Sequence, residues 1–154
     1  MEVLLGFHVV TASMALLSGF AAINLQRKAP LHRIAGKVYL LAWLGFAVSG
    51  LVIGARRPEV APTEIITVIG LLVTMRAYWA VLNRKKLGRK WLQLHYSNML
   101  SSLAFVCIAT LNQILFRTFD LPSWFFWVLV ALPFFVLPLY GNALNRRYAL
   151  KGAQ

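Results

Sequence analysis

Five long apolar runs divide this chain, and four of them hold no charge at all. Val3 to Leu25 is 23 residues and Val38 to Ala55 is 18; Trp91 to Phe116 is 26 with His95 neutral, and Leu121 to Asn145 is 25. Ile65 to Leu82 carries only Arg76. A helix rising 1.5 Å per residue needs about 18 or more apolar residues to cross roughly 30 Å of hydrocarbon. A soluble domain of 154 residues has no interior large enough to hide this much surface. Sixty per cent of the chain is hydrophobic and 13% charged, against about 45–50% and ~25% in soluble globular proteins. The period-two alternation of a membrane barrel strand is missing from the runs. The expected fold is all-α: a polytopic transmembrane bundle of five helices forming a single integral membrane domain over residues 1–154.

Helix-start signals bound the runs. Pro30, Pro62 and Pro122 suit the first turns of the second, third and fifth helices, because proline lacks only an N–H that a first turn leaves unpaired. The second helix is therefore expected to begin near Pro30, ahead of its apolar run. Gly88 is expected to break the chain before the fourth helix, and Pro133 and Pro138 to kink the fifth. The N-terminus lacks a positively charged leader and its apolar run is too long for a signal peptide, so it reads as a retained first helix.

Cations set the expected orientation. Arg27, Lys28, Arg33, Lys37, Arg84, Lys85, Lys86, Arg89, Lys90, Arg146, Arg147 and Lys151 fall on one side of the membrane, and only Arg56, Arg57 and Arg117 on the other. The positive-inside rule makes the richer side cytoplasmic, with the N-terminus outside and the C-terminus in the cytoplasm of a bacterial inner membrane. The acids Glu2, Glu59, Glu64 and Asp120 all fall on the outer side. A net charge of +12 does not point to nucleic acid, because the cations sit in short clusters beside apolar runs, as juxtamembrane anchors do. The lipid bilayer is the expected partner, with other membrane proteins or a homo-oligomer as further candidates.

A faint internal repeat is present. Arg27-Lys28…Leu31-His32 opens the second helix and Arg89-Lys90…Leu94-His95 opens the fourth. Two parallel helical hairpins followed by one helix would explain it.

The repeat also singles out the residues with chemistry to offer. His32 lies in the first turn of its helix, where the positive end of the helix dipole favours a neutral imidazole, the form that iron or another metal requires. His95 shares the same leaflet. A shared cofactor site, with b-type haem ahead of a mononuclear metal, is one reading; Arg33, Lys37, Arg89 and Lys90 lie close enough in sequence to neutralise haem propionates. A docked quinone is a variant of it. The other reading is that both histidines merely bond head groups or loop carbonyls. A metal held by His32 and His95 is less favoured, because neither carboxylate nor cysteine accompanies them.

Other polar residues have plainer expectations. His8, near the outer end of the first helix, is about 36 Å along a helix from His32 and cannot share its site. It is expected to bond Thr67, Asn112 or Gln113, on a small-residue stripe of Thr11, Ala15, Ser18, Gly19 and Ala22. Inward faces are expected at Gly36, Tyr39, Trp43 and Gly50 from His32, and at Asn98, Ser102, Phe105, Ala109 and Asn112 from His95. Gly36 should then resist a larger side chain, and Leu41 should meet lipid. Arg76 is an intramembrane charge, read equally as functional or as snorkelling to the interface. Cys107, the one cysteine, reads as a packing residue. Gly50 and Gly54 form a GxxxG that suits a close helix contact. No pattern for a hydrolase, zinc protease or P-loop occurs, so nothing assigns catalysis.

The stretches FHVVTASMALLSGF, PLHRIAGKVYLLAW and LHYSNMLSS resemble a family of small bacterial integral membrane proteins of unknown function. The likeness rests on His8, Leu31-His32-Arg33, Gly36, Tyr39, His95 and Met99 and covers roughly residues 5 to 116. It implies a four- or five-helix core with these histidines in place, and no activity. Tyr96 stands where such proteins often carry a basic residue, which counts against anion binding there. Two function classes follow: an electron-transfer protein using His32 and His95, or a non-enzymatic membrane scaffold or accessory subunit packing through small-residue faces. A transporter is third, since no acid lies in mid-membrane.

Overall fold

The computed structural model describes residues 1–25, 30–59, 61–119 and 121–150, all the regular structure of which is helical. Arg27, Lys28, Asp120 and Lys151, used in the charge argument, lie outside the described residues. The helices are α1 (Glu2–Asn24), α2 (Pro30–Gly54), α3 (Pro62–Leu82), the single turn α4 (Arg84–Leu87), α5 (Lys90–Thr118) and α6 (Trp124–Leu150).

The sequence boundaries reappear with physical causes attached. Pro30 and Pro62 each open a helix. Gly88 takes φ 54°, in the left-handed region where glycine has no steric penalty, and turns the chain from α4 into α5. Pro122 differs from expectation: it precedes α6, and its carbonyl accepts the N–H of Phe125 in the lead-in turn. Pro133 and Pro138 lie within α6, which continues through both.

Among the described residues four helices, α1, α2, α3 and α5, are long and apolar enough to cross a membrane; in α6 the apolar stretch is Trp124–Leu139. Their outer surfaces are greasy all round. Val3 is 88% exposed, Leu17 74%, Leu41 68% and Leu139 73%. In water such a surface would aggregate, whereas in lipid it is the solvated face.

The interior is built from small and aromatic residues, with Ala15, Tyr39, Ala42, Trp43, Phe46, Ala47, Leu103 and Val106 forming its cluster. Lipid tails are as apolar as a core, so close backbone approach and satisfied polar groups hold such helices together. Gly19 receives the Tyr39 ring and the Leu103 tip, and Gly70 receives the edge of Trp43. Buried hydroxyls return to their own helix: Thr11 Oγ1 donates to the Phe7 carbonyl (2.8 Å) and Thr74 Oγ1 to the Gly70 carbonyl (2.7 Å).

The packing pattern is that of a doubled hairpin. Helix α1 packs on α2 and α3 on α5; the two pairs then join by α2 on α3 and α1 on α5, while among the described residues α6 packs on α5 alone. Among the described residues neither α1 and α3 nor α2 and α5 approach backbone to backbone, so these are the diagonals of a four-helix square. Superposing the Leu-His motifs shifts α2 onto α5 by 63 residues and makes Tyr39 equivalent to Ser102. Those two residues meet across the diagonal, Tyr39 Oη to Ser102 Oγ at 2.7 Å. Equivalent positions can touch only where a pseudo-twofold axis passes between them, so this hydrogen bond marks the centre of the bundle.

Candidate functional site

His32 and His95 both lie seven residues before that central contact, two turns or about 10 Å along parallel helices. Seven residues return a helix to nearly the same face, so both histidines occupy the inward-looking faces of α2 and α5, at the basic end of the bundle. Each is half-buried. The Nδ1–H of His32 donates to the Ala22 carbonyl of α1 (2.9 Å), and that of His95 to the Ala77 carbonyl of α3 (3.2 Å). Each hairpin is thus tied by its histidine to the preceding helix. The two acceptors differ. Ala22 is in the last turn of α1, where carbonyls lack an intrahelical donor, so His32 acts as a cap. Ala77 lies within α3, and His95 uses the lone pair that the helix ladder leaves over. The Trp91 ring stands 6.2 Å from that of His95.

Donation through Nδ1 fixes ring orientation and tautomer, leaving the imidazole lone pair on Nε2, the atom that binds metals in this arrangement. Arg33, Lys37 and Arg89 are exposed at the same end. Gly36, one turn inward from His32, departs from expectation. A Cβ built there meets no atom within 4 Å, so the position is open and does not resist a larger side chain. No group of three His, Cys, Asp or Glu side chains able to hold a metal ion is gathered among the described residues.

His8 sits at the opposite end, away from this pair, and its partner is not one of those expected. Its Nδ1 is 3.0 Å from Ser49 Oγ on α2. The Ser49 hydroxyl gives its proton to the Gly45 carbonyl (2.6 Å), so the imidazole N–H is the donor. Its ring stacks on Phe46 at 4.8 Å and lies against Gly50. Thr67 instead bonds its own helix at the Thr63 carbonyl. One turn further out, Gly54 seats the Glu64 carboxyl, whose Oε1 is buried with no hydrogen-bond partner among the described residues. The GxxxG of α2 therefore seats side chains of α1 and α3. Sequence reasoning missed Ser49 and Glu64. Depth was the available signal: His8 is 16 residues from the end of α1 and Ser49 is 19 from the start of α2, which puts them level in an antiparallel hairpin.

Arg76 is exposed on the outside of α3, beside Ala77 and hence level with His95. Asn98 is half-buried and bonds the Leu94 carbonyl of its own helix (2.6 Å). Cys107 is half-buried against the core cluster.

No curated protein and no solved structure matches the chain. A family model does, over residues 5–137, and its description is "Predicted membrane protein (DUF2306)". Residues 5–137 take in most of α1, all of α2 to α5 and most of the apolar part of α6, and on that match the chain belongs to this family of membrane proteins of unknown function.

Proposed function

We propose that the chain is an electron-transfer protein of the bacterial inner membrane, holding b-type haem at its basic end through His32 and His95. The observation that carries the reading is the paired Nδ1–H donation to Ala22 and Ala77, the orientation that ligating histidines adopt. The donor set suits haem iron better than a caged ion, because two neutral imidazoles without carboxylate or thiolate are too few donors to enclose a lone metal ion. Bound haem would supply one-electron chemistry. His32 and His95 would hold the iron, and Arg33, Lys37 and Arg89 would neutralise the propionates. The open volume at Gly36 supports the fit, and the Tyr39–Ser102 bond closes the site below. The cation asymmetry supports a cytoplasmic position for this end, with the N-terminus outside.

The same bonds are also compatible with a second reading, a scaffold in which the histidines only tie each hairpin. One experiment separates the two: absorption spectra of detergent-purified protein from cells grown with haem precursor, with and without dithionite. The haem reading expects a Soret band and a reduced α-band that disappear equally in His32→Ala and His95→Ala and persist in His8→Ala. A wild-type protein without a haem band leaves the scaffold.

A further inference from the structure

The far side of α5 carries a feature that the histidines do not use. Among the described residues helix α6 packs on α5 alone, and between them lies a cavity of about 350 Å³, open along one side. Its wall on α5 includes Gln93, Ser97, Leu100 and Ala104, a face turned roughly 180° from His95. The α6 wall includes Pro133, Leu137 and Asn142. The lining is graded along the membrane normal. Gln93, Tyr96, Ser97 and Asn142 stand towards the basic end, whereas Leu100, Ala104, Phe105, Pro133 and Leu137 lie deeper, with Ser101 among them, its hydroxyl turned back to the Ser97 carbonyl (3.0 Å).

That gradient fits an amphiphile whose head sits at the interface and whose tail runs to mid-membrane. An uncharged head suits it: among the described residues none of the lining carries a charge, and Arg89 and Lys90, only a few residues from Gln93, remain outside the lining. A phosphate head group would leave its charge unpaired there. Amide and hydroxyl groups match the carbonyl oxygens of a ring, and the volume falls at the lower end of that for small-molecule sites, about 300–1,000 Å³.

We infer that the α5–α6 groove is a binding site for an isoprenoid quinone, seating the ring among Gln93, Ser97 and Asn142 and the tail along Leu100, Ala104 and Leu137. The groove is one helix width, about 10 Å, from the His95 face. The role of the quinone as electron partner rests on the haem reading above; its binding does not.

The test is calorimetric titration of the detergent-purified full chain with ubiquinone-1. Saturable binding at one site is expected. Gly141→Leu points a side chain into open space in the groove wall, where a built Cβ meets no atom within 4 Å. It should weaken binding at least tenfold without lowering the melting temperature, and Ala104→Leu should do the same from the other wall. His32→Ala should lose any haem band and keep the quinone. Failure of wild type to saturate would overturn the proposal, as would unchanged affinity in both groove variants, or displacement of ubiquinone-1 by phosphatidylglycerol in an Arg89-dependent manner. Quinone binding in a wild type that shows no haem would leave the groove standing and remove the haem reading alone.

Discussion

Gly70→Ala isolates the tightest approach in the core. A Cβ at Gly70 would stand 2.8 Å from two ring atoms of Trp43 and 3.4 Å from Phe105 Cβ. Ordinary contact begins near 3.4 Å, so the indole must retreat by about 0.6 Å. It has little freedom to do so, being fully buried with its edge against Phe46 (centroids 5.5 Å apart). Overpacking of this kind costs about 1–3 kcal/mol. Replacing a helical glycine by alanine returns roughly 0.5–1 kcal/mol of backbone entropy. The net loss is then about 1.5 kcal/mol, or roughly 3–6 °C in melting temperature for a chain of this size. Gly36→Ala is the matched control, since it gains the same entropy and meets nothing within 4 Å. Thermal melts of both variants in detergent, together with Trp43→Phe alone and combined with Gly70→Ala, complete the measurement. The smaller ring should recover most of the Gly70→Ala loss, giving a coupling of about 1 kcal/mol. Equal melting of the two alanine variants, or a zero coupling, would refute the packing argument.

Other expectations follow from single contacts. Tyr39→Phe and Ser102→Ala each remove the 2.7 Å bond at the centre of the bundle and should each cost about 1 kcal/mol in the same melts, with the double variant little worse than either single one. Ser49→Ala should destabilise by a similar amount, of order 1 kcal/mol, because it strips a half-buried imidazole of its side-chain partner; His8→Phe should reduce that penalty. Reporter fusions at Lys151 and in the loop at Pro58 should read cytoplasmic and periplasmic respectively, and a periplasmic signal at Lys151 would reverse the orientation.

The spans and their ends were legible because they follow from local chemistry. Uncharged length gives the membrane helices, Pro30 and Pro62 open two of them, and only glycine sits easily at the φ of residue 88. What sequence could not supply was the state of opposing surfaces. Gly36 lies on the inward face, yet a helical face does not reveal whether a neighbour reaches it, and none does. His8 was matched to residues of similar polarity on α3 and α5, when its antiparallel neighbour α2 offered Ser49 at the same depth. The pairing of Tyr39 with Ser102 was implicit in the repeat, because the offset that aligns the two histidines also aligns these residues. The repeat motif was too short to suggest carrying that offset seven residues further.

The hydrogen bond between Tyr39 and Ser102 has a consequence for how such a bundle can be built. Two identical hairpins joined about a twofold axis must place the same residue on both sides of it. Tyrosine facing tyrosine would crowd this centre, and serine facing serine would not span it. Joining both hairpins in one polypeptide lifts that constraint, so that a long phenol can reach across to a short hydroxyl. Trp43 and its counterpart Val106, both fully buried, divide their space in the same unequal way. Covalent linkage thus lets the two halves keep a common frame while each carries side chains that its twin could not tolerate.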